Sequence, residues 1–135
     1  VTDHLDPERR SENMRRVKGR DTEPEHLVRR ALHAMGRRFR LHRRDLPGRP
    51  DIVLSKDRLV IFVHGCFWHR HEGCSRTTMP SSRRDFWEAK FNRTIARDAE
   101  QIATLGAMGW RTEIVWECEA RRPAILETRL REILS

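Results

Sequence analysis

A three-layer α/β sandwich around a mixed sheet is the fold this sequence predicts, and three observations carry the prediction. Residues 51–54 and 58–63 are β-rich runs joined by the tight polar link Ser55-Lys56-Asp57, the pattern of a hairpin. Segments with helical spacing of apolar residues lie before and after that hairpin. A last alternating run, 110–117, follows a long helical segment and therefore joins the sheet by a crossover. The resulting order is α-β-β-β-α-β-α.

Each element has its own signals. Residues 1–20 are polar and basic, with Met14 and Val17 the only sizeable apolar side chains after Leu5, and read as a flexible arm that contacts a partner. One domain, 21–135, follows. Thr22-Glu23-Pro24-Glu25 opens the first helix: the Thr22 hydroxyl can accept from an orphan N–H, Glu25 can reach back, and Pro24 is tolerated in the first turn. Leu27, Ala31, Leu32 and Met35 continue at helical spacing until Gly36. Residues 38–42 alternate, with Phe39 and Leu41 on one face, and read as an outer strand. Two prolines and a glycine make 46–50 a turn. Beyond the hairpin, 64–82 is irregular and rich in Cys and His. Ser82 can cap the next helix, whose buried face is expected to be Phe86, Trp87, Phe91, Ile95, Ile102 and Leu105, with Gly106 or Gly109 as its stop. Pro123 starts a final helix that turns Leu126, Leu130 and Ile133 inward.

Composition narrows the function. The 135 residues are 37% apolar and 36% charged, enough for one modest core that would gain from an added staple. A net charge of +8, carried almost wholly by arginine, favours a polyanionic partner. The longest apolar stretch, 59–63, is too short to span a bilayer, and residues 1–13 lack the apolar run of a signal peptide. A soluble, cytoplasmic protein is the expectation, with no membrane partner. Three cysteines suit reduced thiols or metal ligands better than a disulfide framework.

Cys66-x4-His71-x2-Cys74 is the sharpest motif, because two thiolates and an imidazole within one loop can wrap a tetrahedral Zn²⁺. Cys118, at the end of the last strand, is the remaining cysteine and the expected fourth ligand of a structural site. Inert buried thiols are the alternative. Asp51, at the start of a strand, can hold Mg²⁺ and bridge it to a phosphate; the bland reading is a turn cap. The partner strand ends in His64, which can return beside Asp51.

A strand-initial Pro-Asp resembles the restriction-endonuclease-like nuclease fold, although here Phe62-x-His64 stands where that fold has an acidic residue and a lysine. A closer resemblance covers about 11–120. Met14-Arg15, Arg20-Asp21-Thr22, Leu46-Pro47-Gly48-Arg49-Pro50-Asp51, the run from Val60 through His64-Gly65-Cys66-Phe67-Trp68-His69, Phe86-Trp87, Lys90, Gly109-Trp110-Arg111 and Val115-Trp116-Glu117-Cys118 are similar to the very-short-patch repair endonucleases. That resemblance implies a bacterial, nucleoid-associated DNA repair enzyme, a monomer that nicks duplex DNA 5′ of the thymine in a T:G mismatch left by 5-methylcytosine deamination. It implies Asp51 as Mg²⁺ ligand, His69 as the acid/base on the attacking water, and His64 and Glu25 in support. The family often carries threonine where Val63 stands; a main-chain carbonyl ligand would make that change cheap. Mismatch-repair factors are further candidate partners.

Phe67 and Trp68 are adjacent large aromatics in a polar loop and cannot both enter the core. By resemblance Phe67, Trp68 and Trp87 wedge into the DNA stack beside the mismatch, and Met14 approaches from the minor groove. Trp87 equally fits the apolar stripe of its helix. A non-catalytic, zinc-stapled DNA-binding module is the rival reading, and it leaves Asp51, His64 and His69 unexplained. A zinc deaminase would need His-x-Glu before Pro-Cys-x-x-Cys, and a zinc protease His-Glu-x-x-His; the sequence has neither.

Overall fold

The computed structural model describes residues 21–135, so the arm 1–20 and Met14 lie outside the described residues. Helix α1 (Glu23–Ala34) starts with the expected reciprocal cap: the Thr22 N–H donates to Glu25 at 2.9 Å and the Glu25 N–H to the Thr22 hydroxyl at 3.4 Å. Gly36, at φ +75°, ends it in the left-handed region where only glycine is free of steric cost. Val28 and Leu32, four residues apart, form its fully buried stripe.

Strand β1 (Arg40–Leu41) is shorter than the alternation suggested and both residues are exposed. It ends because His42 turns into the left-handed region at φ 47°, and Phe39 packs on the core from outside the strand while Leu41 is 40% exposed. The hairpin forms as expected from β2 (Ile52–Leu54) and β3 (Leu59–His64), in antiparallel register Ile52 to Ile61. Its link, Ser55–Asp57, is a 3₁₀ turn closed by a left-handed Arg58.

Helix α2 (Arg84–Ala107) then crosses over to β4 (Arg111–Trp116), which runs parallel to β3, giving the order β1-β2-β3-β4. Ser82 does not cap α2; the cap position is Arg83, left-handed and without a side-chain bond. Nor is Ile95 buried: it is 48% exposed, and Thr94 takes the inward place three residues after Phe91. Thr94 tolerates that burial because its hydroxyl donates to the Lys90 carbonyl at 3.1 Å. Gly109, at φ +89°, follows the helix end and frees the turn into Trp110. A short helix, α3 (Glu117–Ala120), follows β4 directly and places Cys118 just past the end of the strand. Helix α4 (Pro123–Leu134) buries Leu126, Leu130 and Ile133 as expected.

Period-two alternation sends the sheet's side chains to two cores. Ile52, Leu54, Leu59, Ile61 and Val115 pack with residues of α1, α3 and α4, whereas Val53, Val60 and Phe62 pack with Leu46, Leu105 and Trp110. The sheet is thus covered on both faces, giving three layers, and each fully buried aliphatic side chain contributes roughly 1.5–3 kcal/mol. No described helix is long and apolar enough to cross a membrane.

Candidate active site

The hairpin register sets the first half of the site. Asp51 immediately precedes β2, and its Oδ2 accepts the Val63 backbone N–H of β3 at 2.7 Å. Its other oxygen faces Glu25 of α1 and His42, whose Nε2 lies 3.2 Å from Glu25 Oε1 and 3.7 Å from Asp51 Oδ1. The capping glutamate thus also faces Asp51 and His42, with only 3% of its surface exposed.

Burial pushes the Asp51 carboxyl well above the usual carboxylate range, and the facing Glu25 pushes it further. Burial also pushes Glu25 up, but its bonds with Asp51, Thr22 and His42 outweigh that and leave it below its ordinary value. Glu25, His42 and Asp51 bring one ligand atom each within 4.8 Å of one another, so this group could hold a metal ion.

The second half comes from the other side of the cleft. His64, buried at the end of β3, stacks on His69 with ring centroids 3.7 Å apart and planes 8° from parallel. His69 Nδ1 lies 2.6 Å from Oδ2 of Asp98 on α2. Burial raises Asp98, but the bond to His69 together with the nearby charges of His69, His64 and Arg97 outweighs it and holds the carboxyl below its ordinary value. Glu25, Asp51, His64, His69 and Asp98 line one cleft of about 830 Å³. Sequence reasoning missed Asp98 and His42. Nothing local marks either: Asp98 is one acid among many charged residues along its helix, and His42 closes an alternating run.

The cysteines converge as their spacing suggested. Ligand atoms of Cys66, His71, Cys74 and Cys118 all lie within 4.8 Å of one another, so the group could hold a metal. Cys118 Sγ is 3.5 Å from His71 Nδ1, close to the ~3.6 Å that tetrahedral Zn–S and Zn–N bonds impose. Burial pushes the Cys66 thiol up to about 12, the penalty a bound cation would reverse.

Beside this group, Phe67 and Trp68 are partly exposed and meet edge to face at 5.2 Å. Trp87 is 5% exposed and lies behind them, 6.1 Å from Phe67 and 6.0 Å from Trp68 between ring centroids. Lys90 Nζ sits 4.9 Å above the Trp68 ring.

Comparison with known proteins decides the family. Residues 2–76 match the model of the DNA mismatch endonuclease Vsr. The chain belongs to the Vsr family. It is 53% identical to the type II nicking enzyme V.XorIIP of Xanthomonas oryzae over 99% of this chain and 98% of that protein. It is also 43% identical to the DNA mismatch endonuclease Vsr of Escherichia coli, over 90% of this chain and 77% of that one. A third relative, V.NmeAIP of Neisseria meningitidis, is 38% identical over 99% of this chain and 95% of that protein. Membership in Vsr makes this a DNA endonuclease of the mismatch class. The Vsr match holds Glu25, His42, Asp51, His64 and His69, while Asp98 and Cys118 lie beyond it, within the alignment to V.XorIIP.

Proposed function

We propose that this Vsr-family chain nicks duplex DNA on the 5′ side of the thymine in a T:G mismatch, by Mg²⁺-dependent hydrolysis on a restriction-endonuclease-like core, as a monomer in the bacterial cytoplasm. The observation that carries the reading is the pairing, across one cleft, of a carboxylate couple with an imidazole backed by its own carboxylate. A binding module has no use for that combination.

The carboxylate couple fits a hard divalent cation: Asp51 supplies an oxygen ligand, the main-chain carbonyl of Val63 is the adjacent candidate, and Glu25 adds charge. Bound there, Mg²⁺ would draw charge from the scissile phosphate and make the attacking water more acidic. The protein's own residues do the rest. With Asp98 ionised, His69 keeps its proton on Nδ1 in a hydrogen bond to that carboxylate, leaving the Nε2 lone pair to take a proton from water. The water oxygen then bonds to phosphorus as the bond to the leaving oxygen breaks, and that oxygen takes a proton from solvent water while the proton on His69 returns to solvent. His64, stacked on His69, fixes the ring plane.

Cys66, His71, Cys74 and Cys118 suit Zn²⁺ as a structural staple, since four protein ligands leave no open position. Phe67 and Trp68, partly exposed, suit a wedge between base pairs, with Trp87 supporting them from behind. Met14, by the same resemblance, would approach the mismatch from the minor groove.

The deciding experiment uses T:G and matched duplexes labelled on each strand, with and without Mg²⁺, on a denaturing gel. Nicking confined to the T strand of the mismatch, and only with Mg²⁺, is expected. Tight binding without any scission would favour the non-catalytic module instead.

A further inference from the structure

We propose that His42 is a protein ligand of the cation site formed by Asp51 and Glu25, giving it a nitrogen donor and a preference for a first-row transition ion such as Mn²⁺ over Mg²⁺. The inference rests on the reading of Asp51 as cation ligand.

The geometry is that of a shared ion. Two donors about 2.1 Å from one centre are about 3 Å apart at right angles and about 4.2 Å apart on opposite sides. His42 Nε2 stands 3.2 Å from Glu25 Oε1 and 3.7 Å from Asp51 Oδ1, and the three donor atoms lie within 4.8 Å of one another. A hydrogen bond to Glu25 would account for the first distance alone. The same nitrogen is turned toward a second carboxylate, and Asp51 Oδ1 is the oxygen that the Val63 N–H does not use.

The backbone holds His42 there. Its φ of 47° lies in the left-handed region that L-residues seldom adopt, and its N–H donates to the Asp51 carbonyl at 3.4 Å. The imidazole is 10% exposed, between carboxylates 3% and 20% exposed, so ligation would displace little water. Nitrogen adds little for Mg²⁺, which takes oxygen, and more for transition ions.

The test is electron paramagnetic resonance of Mn²⁺ added to the zinc-loaded, DNA-free chain. Wild-type protein should show ¹⁴N coupling to bound Mn²⁺, a readout that needs no variant to fold; its absence overturns the proposal. His42→Gln retains an N–H for Glu25 but not the imidazole. It should lose the coupling and bind Mn²⁺ roughly tenfold more weakly, with Mg²⁺ competition changed less than threefold. Coupling that survives His42→Gln but vanishes in His69→Ala would assign the nitrogen to His69 and also overturn it. Undiminished Mn²⁺ binding by Asp51→Asn would instead sink the underlying reading of the site.

Discussion

His69 Nδ1 and Asp98 Oδ2 meet at 2.6 Å although the two residues are 29 positions apart and belong to a loop and to helix α2. An ionised Asp98 dictates which ring nitrogen carries the proton, and so which is free to accept one. Asp98→Asn can instead donate to Nδ1, moving the His69 proton to Nε2, where it blocks a base. Single-turnover nicking should then slow by about 10²–10⁴-fold, the usual worth of general acid–base catalysis, with mismatch binding kept. A rate equal to wild type would remove His69 from the base role.

Asp51→Asn should abolish nicking while raising stability. The native carboxyl is held above its ordinary value, so the folded state binds that proton more tightly than the unfolded chain does. Its stabilising contribution is full below the ordinary Asp value near 3.8 and is lost as pH rises through the raised native value. An amide removes the facing charge and can donate to Glu25. In metal-free buffer at pH 7 the midpoint Tm should rise by a few degrees, on the order of what 1 kcal/mol shifts a domain of this size. Calorimetry showing a lower Tm for Asp51→Asn would mean that its bond to the Val63 N–H outweighs the relief.

Cys118→Ser should release the metal and unfold or aggregate the chain. Structural zinc contributes on the order of 10 kcal/mol, more than a small domain has to spare. Elemental analysis should find one zinc per wild-type chain, and a chelator should reproduce the variant's melting behaviour. A metal-free chain that stays folded and active would make these thiols inert.

Trp68→Ala should keep fold, zinc and salt-dependent binding to any duplex, because arginine contacts to phosphate are independent of the wedge. Its specific affinity for T:G DNA should fall by about one to two orders of magnitude, since stacking on a base is worth roughly 1–3 kcal/mol. Competition between mismatched and matched duplexes at fixed salt reads the ratio. An unchanged ratio would assign Trp68 to the Trp87 and Lys90 contacts it makes in the free chain.

Where chemistry was written into neighbouring residues, the sequence was enough. The capping box at Thr22 and Glu25, the hairpin around Ser55–Asp57 and the loop set Cys66, His71 and Cys74 depend on spacings of a few residues, which survive any arrangement of the rest. Tertiary structure decided the remainder. The cap residue Glu25 became half of a carboxylate pair only because α1 docks on the hairpin next to Asp51, and β1 stopped at Leu41 because His42 is drawn into that pair. Ile95 lost its buried place to Thr94 through the phase of a helix fixed at Trp87 and Phe91. Asp98 gained its partner through a crossover that no local pattern encodes, since a proton's position on His69 is set by distance in space and not by distance along the chain.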